Sequence, residues 1–246
     1  MGVRYRAVVS YDGTDFYGWQ VQSGRRTVQA AIEEALQKVT GARVAVFCSG
    51  RTDSGVHARG QVIHFDLPAP RPTEKLFLAL NANLPEDVRV ERVARAPAGF
   101  DARFSAKAKE YRYFIWNNPV ATPDTRRTHA HVRERLDVGA MKAAAALLVG
   151  CHDFAAFCAN PGYERGSTVR RVDQITVRKS GRTVIIVVRG EGFLYRMVRS
   201  LAGFLIRVGL GELRPEDAER ILASKVRTAR VPTAPARGLF LWRVYY

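Results

Sequence analysis

The order of apolar patterns along the chain predicts an α+β fold made of two successive β-α-β-β-α-β series. Three observations carry that expectation. Residues 3–11 alternate in strict period two, residues 28–39 carry apolar side chains at helical spacing, and the whole succession of patterns returns in the same order after residue 108. At 246 residues, 47% hydrophobic and 25% charged, the composition is globular and long enough to bury a sizeable core.

The first series opens with Val3, Tyr5, Ala7 and Val9 on one strand face and Arg4 and Arg6 on the other. Thr27 is placed to cap a helix carrying Val28, Ile32, Ala35, Leu36 and Val39. Strands are expected at 43–48 and 61–67, separated by a polar, glycine-marked loop from Ser49 to Gly60. Pro72-Thr73 begins a second helix running to Leu84, and 88–94 is a strand. In the second series, strand 109–116 precedes an alanine-rich helix at 136–149. Strands 168–178 and 183–189 follow, then helix 192–208, an extra helix at 215–224 and a final strand at 239–245. The order is ferredoxin-like twice over, without a residue-level repeat. We expect two domains, 1–104 and 105–246, each an antiparallel sheet with its helices on one face, joined so as to leave a cleft between them. Open sheets of this kind serve many RNA-binding modules.

Charge narrows the function. Lysines and arginines number 39 against 23 acids, a net +16, and 32 of the 39 are arginines. The planar arginine fork suits phosphate, so the balance points to a polyanionic partner, whereas an arginine-rich surface adapted to heat is the bland reading. Basic residues are spread along the chain, which favours a folded basic surface over a disordered arm. No stretch approaches the roughly 20 apolar residues of a membrane span, and the chain begins at once as a strand with no signal peptide. Cys48, Cys151 and Cys158 are an odd number at no metal-ligand spacing, as expected of reduced thiols in the cytoplasm.

Three segments carry candidate chemistry. The loop GRTDSGVHARG, Gly50 to Gly60, holds one carboxylate, Asp53, among Arg51, His57 and Arg59, with Gly50 and Gly55 permitting a tight backbone. A plain Asx turn is the structural alternative. Helix 192–208 buries Leu194, Val198, Leu201, Leu205 and Val208 and sets Arg196, Arg199, Gly203 and Arg207 on the other side, with no acid after Glu191 to pair them. That stripe fits a phosphate backbone or a buried aspartate, or is simply a solvated face. In KEYRYFIW, Tyr111 and Tyr113 share one strand face, as packing residues or as a platform for an unpaired base. Asp12 and Asp15 read as a D-G-T-D turn, CHDFAAFC lacks zinc spacing, and neither a P-loop nor a G-x-G-x-x-G motif occurs.

Taken together, YDGTDFYGWQVQ, TVQAAIEEAL, GRTDSGVHARGQVIHF, LNANLP, FDARFSAKAKEYRY, HDFAAF, GFLYRMVRSLAGFLIRVG and APARGLFLWRVYY resemble the TruA-type tRNA pseudouridine synthases, in the family's order and almost from end to end. The resemblance implies a homodimeric enzyme, needing no cofactor and no metal, that converts uridine to pseudouridine at positions 38, 39 and 40 of the tRNA anticodon stem-loop. It implies that Asp53 is the catalytic aspartate and that Arg51 helps displace the target nucleotide. Tyr111 would contact the target base, and Arg199 would pair with Asp53. Ser54 stands where the family commonly has alanine, and Asp101 where it often has histidine.

A carboxylate could attack the sugar C1′, add to C6 of uracil, or remove the C2′ proton, and the residues alone leave all three open. A non-catalytic RNA-binding protein and a uracil-releasing glycosidase are the competing classes.

Overall fold

The computed structural model describes residues 2–159 and 166–246, among which lie ten strands and five α-helices. The chain divides into two compact units. One runs to Lys107 and takes in Phe240–Tyr246, and the other is Ala108–Leu239.

In the first unit the elements are β1 (Val3–Tyr11), α1 (Val28–Thr40), β2 (Phe47–Cys48), β3 (His57–Leu67), α2 (Thr73–Asn83) and β4 (Val88–Arg95). The alternation expected of β1 is present: Tyr5, Ala7, Val9 and Tyr11 are buried and Arg6 is exposed. β1 pairs antiparallel with β3, from Val3 opposite Leu67 to Tyr11 opposite Ala58, and on its other edge antiparallel with β4. Thr27 caps α1 by accepting the Ala30 N–H, and Gly41 ends it in the left-handed region at φ 78°.

Segment 43–48 falls short of the expected strand, since only Phe47 and Cys48 pair with β3. Its backbone is satisfied from α1 instead: Val46 donates to Glu33 Oε1 at 3.1 Å and accepts from Gln29 Nε2 at 3.3 Å. The last strand, β10 (Leu239–Tyr245), lies parallel to the start of β3, with Phe240 opposite His57 and Leu241 opposite Ala58. Gly60 admits that approach, because a Cβ there would sit 2.4 Å from the Trp242 carbonyl. A strand assigned from sequence to the C-terminal domain thus contributes its residues from Phe240 on to the first unit.

The second unit contains β5 (Ala108–Asn117), β6 (Ala130–Val132), α3 (Val138–Leu147), β7 (Gly150–Asp153), β8 (Val169–Ser180), β9 (Thr183–Gly190), α4 (Met197–Gly209) and α5 (Asp217–Ser224). Its strands run β5-β9-β8-β7 with antiparallel pairing, and the short β6 adds parallel to β5. Strands β6 and β7, at three and four residues, are too short to leave a periodic signal. Helix α4 starts five residues later than expected, because Arg196 adopts φ 57° and holds the preceding segment outside the helix.

Helix α4 is buried almost all round, against the single buried stripe read from sequence; Met197, Ser200, Ala202 and Phe204 join the expected apolar positions. Gly203 faces no ligand: a Cβ there would meet the Pro232 carbonyl at 2.1 Å, so the backbone of that segment fills the gap. Among the described residues no helix is long and apolar enough to cross a membrane. Cys48, Cys151 and Cys158 are not joined in disulfides.

Gly203→Ala should destabilise the protein by about 1–3 kcal/mol through overpacking, a fall of several degrees in Tm. Gly99→Ala, where a Cβ meets nothing within 4 Å, is the control. Equal Tm values for the two variants would refute the close contact.

Candidate active site

Asp53 lies in the first unit, in the loop between β2 and β3. That loop is shorter than expected, residues 49–56, because β3 already starts at His57. Its backbone is fixed on both sides of the aspartate. Gln61, without solvent access, accepts from Ser49 Oγ at 3.0 Å and donates to the Gly50 carbonyl at 2.7 Å. The hydroxyls of Thr52 and Tyr11 share a buried hydrogen bond of 2.8 Å, and the Thr52 carbonyl accepts the Trp19 N–H at 3.0 Å. Asp53's own carbonyl accepts from the Val56 N–H at 3.1 Å, closing a turn in which Gly55 takes φ 75°. Beyond it, Ser54 Oγ donates to the Phe16 carbonyl at 3.2 Å.

Sequence reading took Asp12 and Asp15 for a D-G-T-D turn, and the chain does turn there: Asp12 Oδ1 takes the Thr14 N–H at 3.0 Å. Yet the segment from Asp12 to Trp19 is also the brace against which the Asp53 loop rests. Gly18, at φ 81°, lies so close that a Cβ would meet the Thr52 carbonyl at 2.7 Å, and one at Gly13 would meet the Val56 carbonyl at 2.0 Å. Two glycines five residues apart in an otherwise bulky run were the available signal.

The loop's other polar residues separate into two kinds. Arg51 and Arg59 are exposed, and Asp53 is half-buried. His57 is buried, stacked on Phe240 with ring centroids 4.5 Å apart, and its Nδ1 accepts the Gly13 N–H at 3.0 Å. Asp12 Oδ1 lies 3.1 Å from the same nitrogen. That oxygen already receives the N–H and hydroxyl of Thr14, so the Gly13 bond fixes the ring. His57 therefore belongs to the scaffold.

Tyr111 and Arg199 lie in the second unit. Tyr111, on β5, is buried and meets Phe193 edge to face, centroids 5.3 Å apart. Tyr113 on the same strand face is fully buried and donates its hydroxyl to the Pro235 carbonyl at 2.9 Å. Burial drives the Tyr113 pKa far above the usual phenol value, although the charges of Arg199 and Arg237 pull it down, so Tyr113 serves as a neutral donor. Of the two tyrosines, Tyr113 is the packing residue.

Arg199, in the first turn of α4, is anchored twice to one segment: its Nε donates to the Ala234 carbonyl at 2.8 Å, and its own carbonyl accepts the Ala234 N–H at 3.1 Å. The expected stripe of unpaired arginines is not what α4 carries. Arg207 Nε binds Glu212 Oε2 at 2.6 Å, just past the helix end, and its Nη1 donates to the Ala229 carbonyl at 2.7 Å. Arg196 is exposed, with its guanidinium 4.8 Å from the Tyr195 ring centroid.

The family profile described as tRNA pseudouridine synthase matches residues 7–105 and 144–246, stretches that contain the Asp53 loop and α4. The chain is 49% identical over 243 residues to tRNA pseudouridine synthase A of Brevibacillus brevis, covering 99% of each chain. The protein of that name from Geobacillus kaustophilus is 47% identical over 250 residues, covering 100% of this chain and 95% of the relative. The Bacillus subtilis one is 45% identical over 248 residues, 99% of each. Similarity at this level over the full length of both partners leaves no room for a shared fragment alone: the chain belongs to the tRNA pseudouridine synthase family, a family of isomerases.

Proposed function

We propose that this protein isomerises uridine to pseudouridine at positions 38, 39 and 40 of the tRNA anticodon stem-loop, with Asp53 as the reacting carboxylate. The observation that carries the reading is the GRTD loop itself. It presents a half-buried aspartate on a backbone held on both sides by hydrogen bonds of Ser49, Gly50, Thr52 and Ser54. A nucleophile or base held this way needs little reorganisation before reaction.

The isomerisation breaks the N1–C1′ bond of the nucleotide and forms a C5–C1′ bond to the same uracil. The C5 hydrogen leaves as a proton, and N1 gains one. Neither an electron acceptor nor water is consumed. Asp53 begins the sequence by attack at C1′, by addition to C6 or by removal of the C2′ proton. A stem uridine must first leave its stack, at a cost of roughly a few kcal/mol. Arg51, exposed in the same loop, would occupy the vacated place, and Tyr111 would contact the extruded base. Arg199 would pair with the Asp53 carboxylate and favour its ionised form. In this reading the chain carries two ferredoxin-like halves that bind tRNA. The protein acts as a cytoplasmic homodimer without metal or cofactor. The resemblance of the motifs supports these features, and the +16 charge supports the polyanionic substrate.

Release of tritium from tRNA labelled at uracil C5 separates the competing classes. An isomerase loses the label and keeps the base attached, a glycosidase frees the base, and a binding protein does neither. Asp53→Asn should bind tRNA as wild type does and retain less than about one part in a thousand of its turnover; anything above that level removes Asp53 from its role. Affinity for tRNA should fall at least about tenfold between 50 and 200 mM salt if phosphate contacts dominate, and a flat response would mark the charge as surface adaptation. Arg199→Leu should cripple single-turnover rates at saturating tRNA while sparing most of the affinity. Arg199→Lys should be milder, keeping the charge but losing the two-pronged geometry. A thermal melt of both variants shows whether loss of the Ala234 anchor, not chemistry, is responsible. If saturated Arg199→Leu reacts at the wild-type rate, Arg199 is a phosphate contact.

A further inference from the structure

Phe104 is the most exposed large apolar side chain among the described residues, at 80%, and it sits on a turn with almost no conformational freedom. Asp101 Oδ1 accepts the N–H groups of Arg103 at 2.7 Å and Phe104 at 2.9 Å. Ser105 closes the turn from the other side, its Oγ accepting the Asp101 N–H at 3.0 Å while its own N–H goes to the Asp101 carbonyl at 3.0 Å. Ala102 is tied at both ends. Its N–H goes to Nδ1 of the buried His64 at 3.0 Å, and its carbonyl accepts from the Tyr246 hydroxyl at 2.7 Å. Burial would raise the Asp101 pKa, but the N–H groups of Phe104 and Arg103, with the charges of His64 and Arg4, outweigh it and hold the carboxyl below its usual range. Asp101 is therefore an acceptor throughout the neutral range.

A turn so thoroughly hydrogen-bonded, ending in an aromatic ring in water, needs a reason beyond the fold. The Arg103 guanidinium lies 5.3 Å from the Phe104 ring centroid, that of Arg6 lies 5.9 Å from the neighbouring Phe100 ring, and Arg6 and Lys107 are exposed. An exposed aromatic face with an arginine against it is the arrangement that takes an unpaired nucleobase on the ring and its phosphate on the arginine. A preordered turn also spares the loss of loop entropy on binding. A second copy of the chain suits this site less well, because the exposed Arg6, Arg103 and Lys107 would face their own kind across a two-fold axis.

We infer that Phe104 and Arg103 form a tRNA-binding platform that stacks one unpaired base outside the reacting uridine, and that Asp101 is the positioning residue that holds it. The inference rests on the tRNA reading above.

The test measures KM and kcat for tRNA isomerisation, the melting temperature and the sedimentation state for variants at these two positions. Base stacking on an aromatic residue is worth a loss of roughly 5- to 150-fold on removal. Phe104→Ala should raise KM by at least about fivefold, with the loss appearing in KM and not kcat and with no change in Tm. Phe104→Trp should restore KM and Phe104→Leu should not, since leucine is apolar but cannot stack. Asp101→Ala should raise KM although Phe104 is intact, and Asp101→Asn, which keeps an acceptor oxygen, should not. A wild-type KM for Phe104→Ala, or rescue by leucine, overturns the platform and leaves the proposed function standing. A change of sedimentation state in Phe104→Ala shows a protein contact and likewise overturns it. If the wild-type protein is inert on tRNA, the proposed function fails and the platform fails with it.

Discussion

The Asp53 loop holds its shape through groups that lie beneath it, and the first of these is the buried amide of Gln61. That side chain has one acceptor and one donor nitrogen, and it uses them on Ser49 and on the Gly50 carbonyl, the two residues where the loop leaves β2. Removing such a partner inside a dry interior strands its mates, at about 1–3 kcal/mol apiece, so the arrangement is all or none. Gln61 in turn lies on β3, which has β1 on one edge and β10 on the other. The loop therefore inherits the stiffness of a central strand. Its outer side leans on the Asp12–Trp19 segment through Gly13 and Gly18, where backbone touches backbone. A residue with any side chain at these two glycines would push the aspartate's neighbours out of place.

Much of this could be read from the sequence, and what could not follows a physical rule. The alternation of β1, the Thr27 cap and the helical spacing of α1 are local signals, and each is present where local forces place it. The segment 43–48 has the right composition for a strand but finds its hydrogen-bond partners on α1 side chains, an outcome set by tertiary structure. At α4 the spacing of the arginines was right and their surroundings were wrong. Glu212 pairs Arg207 from just past the helix end, and the Pro232 carbonyl reaches the helix from a part of the chain that no periodicity connects to it. His57 shows the same limit in miniature. Charge and crowding make it look chemical, while a stacked phenylalanine nearly two hundred residues away makes it structural.

The two tyrosines of β5 illustrate how one strand face divides its labour. Tyr113 is spent on the fold, its hydroxyl bonded to the Pro235 carbonyl in a fully buried position. Tyr111, two residues along, meets the fold through the edge of Phe193, a residue of the segment ahead of α4. That segment ends at Arg196, whose left-handed backbone is costly for a residue with a side chain and persists only where its surroundings impose it. Arg199 follows one turn later, so its place on the helix depends on where that strained residue lets the helix start.

The return of Phe240–Tyr246 to the first unit has a consequence for how the protein comes into being. Synthesis proceeds from the N-terminus, and domains generally fold in that order as they emerge. Here the earliest residues cannot finish their sheet, because β10, the strand that lines the start of β3 beside the Asp53 loop, is made only after the whole of the second unit. Until then the edge of β3 around His57 and Ala58 lacks its partner, and the Phe240 ring is missing from the face of His57. The nascent chain thus carries an open strand edge for most of its synthesis, a template for wrong pairing that the finished molecule covers. The same path means that the Asp53 loop gains the support of β10 only after the second unit is made. A partly made chain holds the GRTD sequence without the β10 strand that flanks it in the finished fold.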